Sequence, residues 1–203
     1  MTTRSGFIEA SVARASLPPM NTPRGVWLDD LTRQEAISRF DGNTVVVIPV
    51  ASGGPDLPHL PLKTATVIAR ALGQKLLERL AIVMAAVVDA DSIRQRNMLG
   101  QILAARLDGL RSLGARRLAI LDVGPSHDTP FDIAGDVLFL RACDRSDPDE
   151  YITSCMMALD PRSVRMSLLP AGSRSDAFGG ERGMSGEVDA IAAALVSRWP
   201  NLG

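Results

Sequence analysis

The run Thr44–Val50 (TVVVIPV) constrains this chain more than any other segment. Branched side chains at most of its positions favour an extended backbone, and the lack of polar alternation means that both faces are covered. Such a strand belongs inside a parallel sheet. Parallel neighbours cannot be joined by tight hairpins and need crossovers of a dozen or more residues, usually helical.

The sequence supplies those crossovers. Before the run lies a short amphipathic helix, with Asp29 or Asp30 as its cap, Leu31, Ala36, Ile37 and Phe40 facing inward, and Asp41-Gly42-Asn43 as the connecting turn. After it, Val67, Ile68, Ala71, Leu72 and Leu76 recur at helical spacing between about Thr64 and Arg79. Leu80–Val88 reads as a second buried strand. The stripe Leu99, Ile102, Leu103, Leu107 and Leu110 predicts a long helix over about 92–113, ended by Gly114. Arg117–Val123 (RLAILDV) is a third strand and Val137–Leu140 a fourth. Pro148 suits the first turn of a helix running to Leu159. Val164–Leu169 reads as a strand, Glu187–Trp199 as the closing helix, and Gly53-Gly54 and Gly179-Gly180 as flexible turns. This alternation predicts the α/β class, a three-layer α/β/α sandwich around a largely parallel sheet. Residues 1–25, rich in Ser, Thr, Pro and Arg, read as a flexible arm, and 26–203 as a single domain.

Composition narrows the function. With 22 Lys+Arg against 23 Asp+Glu and only 4% aromatic residues, no basic or stacking surface for nucleic acid is expected. No apolar run reaches the roughly 18 residues that span a bilayer, and no secretory h-region opens the chain, so the expected location is cytoplasmic, without a membrane partner. Cys143 and Cys155 lack metal-ligand spacing and read as reduced, buried thiols. Two histidines, His59 and His127, exclude a His-rich metal site. Ser126 and Ser154 have no evident base partner.

The segment Val45–Thr66, VVVIPVASGGPDLPHLPLKTAT, resembles the signature of the creatininase (creatinine amidohydrolase) family, a strand followed by PVGSTEQHGPHLPLGTDT. Pro49, Val50, Ser52, Pro58, His59, Leu60, Pro61, Leu62, Thr64 and Thr66 match in register. Further similarities extend over about residues 28–199: PDEYITSCMMALDPRSVRM is specific, LRSLGARRLAILDVG also fits, and LDDLTRQEAISRF and GGERGMSGEVDAIAAALV are weak. The resemblance implies a creatininase-like fold, homo-oligomeric assembly, and a Zn or Mn centre that hydrolyses an amide. The ligand positions it implies are Gly54, Asp56, Ala65, Gly124 and Ile152, and of these only Asp56 keeps an oxygen donor. Asp147 stands where a further family histidine falls.

A dinuclear hydrolase needs a bridging carboxylate and further donors to neutralise two cations and hold hydroxide. Ala65, Gly54 and Gly124 offer none, so no metal or other cofactor is expected. The reading is a degenerate family member serving as a structural, regulatory or ligand-binding subunit, with a small-molecule ligand and a homo-oligomeric or protein partner. The alternative is an amidohydrolase with a site rebuilt from Asp56, His59 and Glu150. Pocket candidates are Asp56, His59, Asp122, Asp149 and Glu150, with Asp147 beside them, although solvated loop acids give the same pattern. His59 is expected to brace its proline-rich loop. The cleft beneath Ser52–Leu62, with Asp56 and His59 at its mouth, is expected to be less polar than a hydrolase site, and either to collapse or to bind a small, partly apolar ligand.

Overall fold

The strand expected at Thr44–Val50 runs from Val45 to Ala51 with every residue buried. The computed structural model describes residues 24–52, 57–90, 96–124, 136–143 and 145–202. In chain order the elements are β1 (Val26–Trp27), α1 (Arg33–Arg39), β2 (Val45–Ala51), α2 (Thr64–Arg79), β3 (Val83–Met84), β4 (Val88–Asp89), α3 (Arg96–Ser112), β5 (Arg117–Val123), β6 (Val137–Ala142), α4 (Pro148–Leu159) and α5 (Ala177–Arg198). All strand pairs are parallel, in the order β1-β3-β2-β5-β6, with β4 also pairing β2.

The pleat sorts side chains to two cores. Val45, Val47, Ala51, Leu121 and Val123 face α2, α4 and α5, where Leu72, Leu76, Ile152, Met156, Val188 and Leu195 pack on them. Val46, Ile48, Val50, Leu118 and Ile120 face α1 and α3, meeting Ala36, Phe40, Leu99, Leu103 and Leu107. Val46 and Ile120, the test of the central-strand assignment, are both 0% exposed. The architecture is the α/β fold read from the sequence: a parallel sheet with helices on both faces.

Six local readings are corrected. Leu80–Val88 is not one strand but two short ones. The Val47 and Ala51 carbonyls accept from Ala85 and Ala90, so odd-numbered β2 residues turn their peptides toward β3 and β4. Pro49 falls in that row without an N–H to give. There the ladder breaks: β2 resumes pairing at Val50 opposite Val88 after Val47 opposite Met84. Three residues thus stand opposite two, a bulge.

The first helix is capped by Thr32, not Asp29 or Asp30, in a capping box with Glu35; Asp29 and Asp30 lie in a 3₁₀ turn before it. Its inward stripe is Ala36 and Phe40, while Ile37, a third of a turn away, is 43% exposed. Val164–Leu169 is no strand: the segment makes 3₁₀ turns at Pro161–Ser163 and Met166–Leu168, and the Arg165 N–H is donated to the His59 carbonyl. The closing helix begins at Ala177, ten residues before the expected start, capped by Asp176. Gly179 and Gly180 are helical, not a turn. A Cβ on Gly180 would lie 2.1 Å from the Ser154 carbonyl oxygen, so this glycine lets α5 close on α4. The expected arm falls outside the described residues as far as 23, while Gly25 donates its N–H to Leu77.

Candidate functional site

In an open parallel sheet, ligands gather beyond the carboxyl ends of the strands. Here β2 ends at Ser52 and β5 at Gly124, joined by the Ser52 N–H to the Val123 carbonyl. The Ser52 hydroxyl donates to the Asp122 carboxylate in a buried hydrogen bond. Asp122 stands opposite Arg141 of β6 and follows the alternation that places Leu118 and Ile120 toward α3. Burial raises its carboxyl above the ordinary aspartate range, against the opposing pull of the Ser52 bond and the Arg141 charge. Sequence reasoning placed Asp122 among the pocket residues but missed Ser52 as its partner.

The positions that the resemblance assigns to ligands are occupied by packing. Ala65, in the first turn of α2, and Ile152, in α4, belong to the same apolar cluster as Ala51, Val123 and Cys143. They are 3% and 2% exposed. Gly124 carries no side chain and has room for none, since a Cβ there would lie 1.7 Å from the Ser52 carbonyl oxygen. Gly54 and Asp56 lie outside the described residues, as do Gly53, Ser126 and His127. Two anionic or imidazole donors per metal cannot be drawn from Ala65, Gly124 and Ile152, so these positions do not fit a dinuclear centre. Among the described residues no three His, Cys, Asp or Glu side chains are grouped to hold a metal ion.

Next to this filled position lies a cleft of about 280 Å³. Its walls are the 57–59 loop, the start of α4 and the 170–175 segment. His59, Asp147, Asp149, Glu150 and Thr153 line it. Three of the pocket candidates expected from the sequence (His59, Asp149 and Glu150) therefore meet here, with Asp147 beside them, and Asp122 does not. Ala65, Gly124 and Ile152 are absent from its lining. Ala65 and Ile152 are packed into the core, and the cleft that is open beside them carries Asp147, Asp149 and Glu150 among its lining residues.

Each wall has a local cause. Asp147 is the N-cap of α4, accepting from the Glu150 N–H, with Pro148 in the first turn. The Glu150 side chain accepts from the Arg174 N–H at 2.6 Å and faces the Arg174 guanidinium, which ties the 170–175 segment to α4. The Asp149 side chain is exposed. His59, 2% exposed, braces its loop as expected: Nε2 lies 2.9 Å from Thr153 Oγ1, and the His59 carbonyl accepts from Arg165. Thr153 donates its hydroxyl to the Asp149 carbonyl at 2.7 Å. That hydroxyl therefore accepts from the ring, which places the ring proton on Nε2. Nδ1 is left buried without a partner.

Cys143 and Cys155 are buried thiols, as read from the sequence. Burial pushes Cys143 well up and Cys155 up to about 12, so neither is a thiolate at neutral pH. Cys143 sits at φ 66, and its N–H is shared by both oxygens of Glu187. No sequence signal pointed to that acid 44 residues downstream.

No protein-family model and no curated protein matches the chain. Solved structures do. A structure described as "Creatininase Mn" aligns at TM-score 0.72 and 15% identity, over 87% of this chain and 99% of that one. A creatinine amidohydrolase (creatininase) aligns at 0.69 and 15%, over 87% and 98%. The fold is that of creatininase. A creatininase mutant complexed with creatine aligns at 0.71 and 16%, over 87% of this chain and 99% of its own. At identities of 15–16% the likeness is one of backbone fold. Among the described residues no helix is long and apolar enough to cross a membrane.

Proposed function

We propose that this chain is a divergent creatininase-family member that has given up the dinuclear metal centre and works as a ligand-binding, non-catalytic subunit. The observation that carries the reading is the burial of Ala65 and Ile152 in one apolar cluster, at the positions where the resemblance places two carboxylate ligands. A metal site that had merely lost affinity would keep a polar cavity. Here hydrocarbon fills it, and refilling it with charge carries the desolvation cost of a buried carboxylate. Self-assembly into a homo-oligomer in the cytoplasm completes the proposal, on the strength of the creatininase resemblance.

Metal analysis of purified, dialysed protein tests this. Far less than one Zn or Mn per chain is expected. Stoichiometric metal that disappears in Asp56→Ala sinks the proposal and promotes a rebuilt amidohydrolase, the reading favoured by the meeting of His59 and Glu150 in one cleft. In this fold Glu150 is already engaged by Arg174, which leaves it poorly placed as a base.

A further inference from the structure

We propose that the exposed apolar surface of Leu62, Met166 and Leu168 is a two-fold contact between copies of this chain, with the basic end of one copy's surface on the acidic end of the other's. The inference rests on the homo-oligomeric part of the reading above and adds the surface that would carry it.

Beyond α4 the chain turns at Asp160 and runs back along the helix, until the Arg174 N–H and the Ser175 hydroxyl are donated to Glu150 in its first turn. Two ties hold the 59–63 loop on this returning segment: the Arg165 N–H to the His59 carbonyl, and Lys63 to Asp160 at 3.0 Å. Leu62 lies between those ties, and Met166 and Leu168 follow Arg165 in a 3₁₀ turn. Leu62 is 97% exposed, and Met166 and Leu168 are each more than half exposed. A single exposed leucine is ordinary, but large apolar side chains gathered on one surface mark an interaction site. The ties fix this backbone before any partner arrives, so little ordering entropy opposes association.

Charge selects the occupant. In chain order the returning segment carries Arg162 and Arg165, then Met166 and Leu168, and it ends beside Asp149 and Glu150. Arg162 and Arg165 are exposed and form no ion pair among the described residues. At the other end Glu150 is held by Arg174, while the Asp149 side chain is exposed and has no partner among the described residues. The surface is thus positive at one end, apolar in the middle and negative at the other. The 12 residues of α4 separate its ends by about 18 Å, beyond the Debye length of about 8 Å, so the two charges do not cancel within one copy. An isologous contact sets the same patch against itself, turned end for end. Arg162 and Arg165 of one copy then oppose Asp149 of the other, the apolar centres meet, and like charges stay apart. A uniformly acidic or basic partner would suit one end and be repelled by the other.

Sedimentation equilibrium of the full chain tests this over a wide range of concentration. The parent should have an even multiple of the 21.7 kDa chain mass. Leu62→Asp should bring the mass to half or less, with a dissociation constant at least tenfold higher. The Leu62 side chain is exposed, so that variant folds, which an unchanged urea midpoint verifies. Asp149→Arg alone should weaken association, as should Arg162→Glu with Arg165→Glu, and the three changes together should restore it. An odd-numbered parent, an assembly that Leu62→Asp leaves intact, or a charge exchange that restores nothing overturns this surface while the homo-oligomeric reading stands. A monomeric parent overturns both. The metal content of dialysed protein bears on neither and decides only the non-catalytic reading.

Discussion

Ile152 and Thr153 are consecutive residues of α4, yet they serve two different surroundings at one edge of the sheet. Ile152 turns into the core beside Ala65, Val123 and Cys143. Thr153, about 100° further round the helix, turns to the cleft and holds His59. On the first side, apolar side chains fill the space between the walls, because an interior does not keep voids that its own side chains can fill. On the second, caps and segment ties consume polar groups: Asp147 for α4, Glu150 for the 170–175 segment, Thr153 for His59. A cleft whose walls are also structural stays open beside a neighbour that is packed shut.

That contrast can be broken at its tightest point. In Gly124→Ala the new methyl would meet the Ser52 carbonyl at 1.7 Å, and neither strand end can withdraw without opening the β2–β5 ladder. The expected loss is about 3 kcal/mol or more, read as a lower midpoint in urea unfolding with an unchanged slope. If Gly124→Ala is neutral, the edge is looser than described, and a histidine could return there. Reinstating the four missing ligands together is expected to fail at this glycine first.

Ile152→Glu probes the filled side. It buries an unpaired carboxyl in hydrocarbon, at an expected cost of about 3–5 kcal/mol at pH 7. Burial raises the folded-state value of that carboxyl above its unfolded value of about 4.3. The penalty is therefore small below pH 4 and grows as the pH rises through the window between the two values, before levelling off. Unfolding curves at pH 4 and pH 7 should separate the variant from the parent by different amounts. A pH-independent difference would mean that the carboxyl reaches water and the side is not closed.

Asp147→Ala is the smallest change and sharpens the other half of the comparison. Loss of the α4 cap should cost about 1 kcal/mol, while the cleft stays open and gains no apolar filling. The loss is read as a lower midpoint in urea unfolding, and an unchanged midpoint would mean that the Asp147 cap contributes nothing to α4.

The sequence by itself determined the sheet. The β-branched run at Val45–Val50 and the alternation of strands with helical stripes predicted β2, β5, α2 and α4 nearly to the residue, since burial on both faces leaves a pattern that no loop imitates. It also carried the signature frame, and with it the creatininase fold. Only tertiary structure decided the rest, because those features depend on partners far away in the chain. The missing N–H of Pro49 acts on a neighbouring strand and splits Leu80–Val88. Gly179-Gly180 reads locally as a break, yet it is helix because α4 must come close. Val164–Leu169 is apolar enough for a strand, but its backbone is claimed by the His59 loop. The same holds for the site: the residue types at Ala65, Gly124 and Ile152 showed that these positions offer no metal donor. Which part of the edge is packed and which is open was set by side-chain volume and hydrogen-bond partners that meet only in the folded chain.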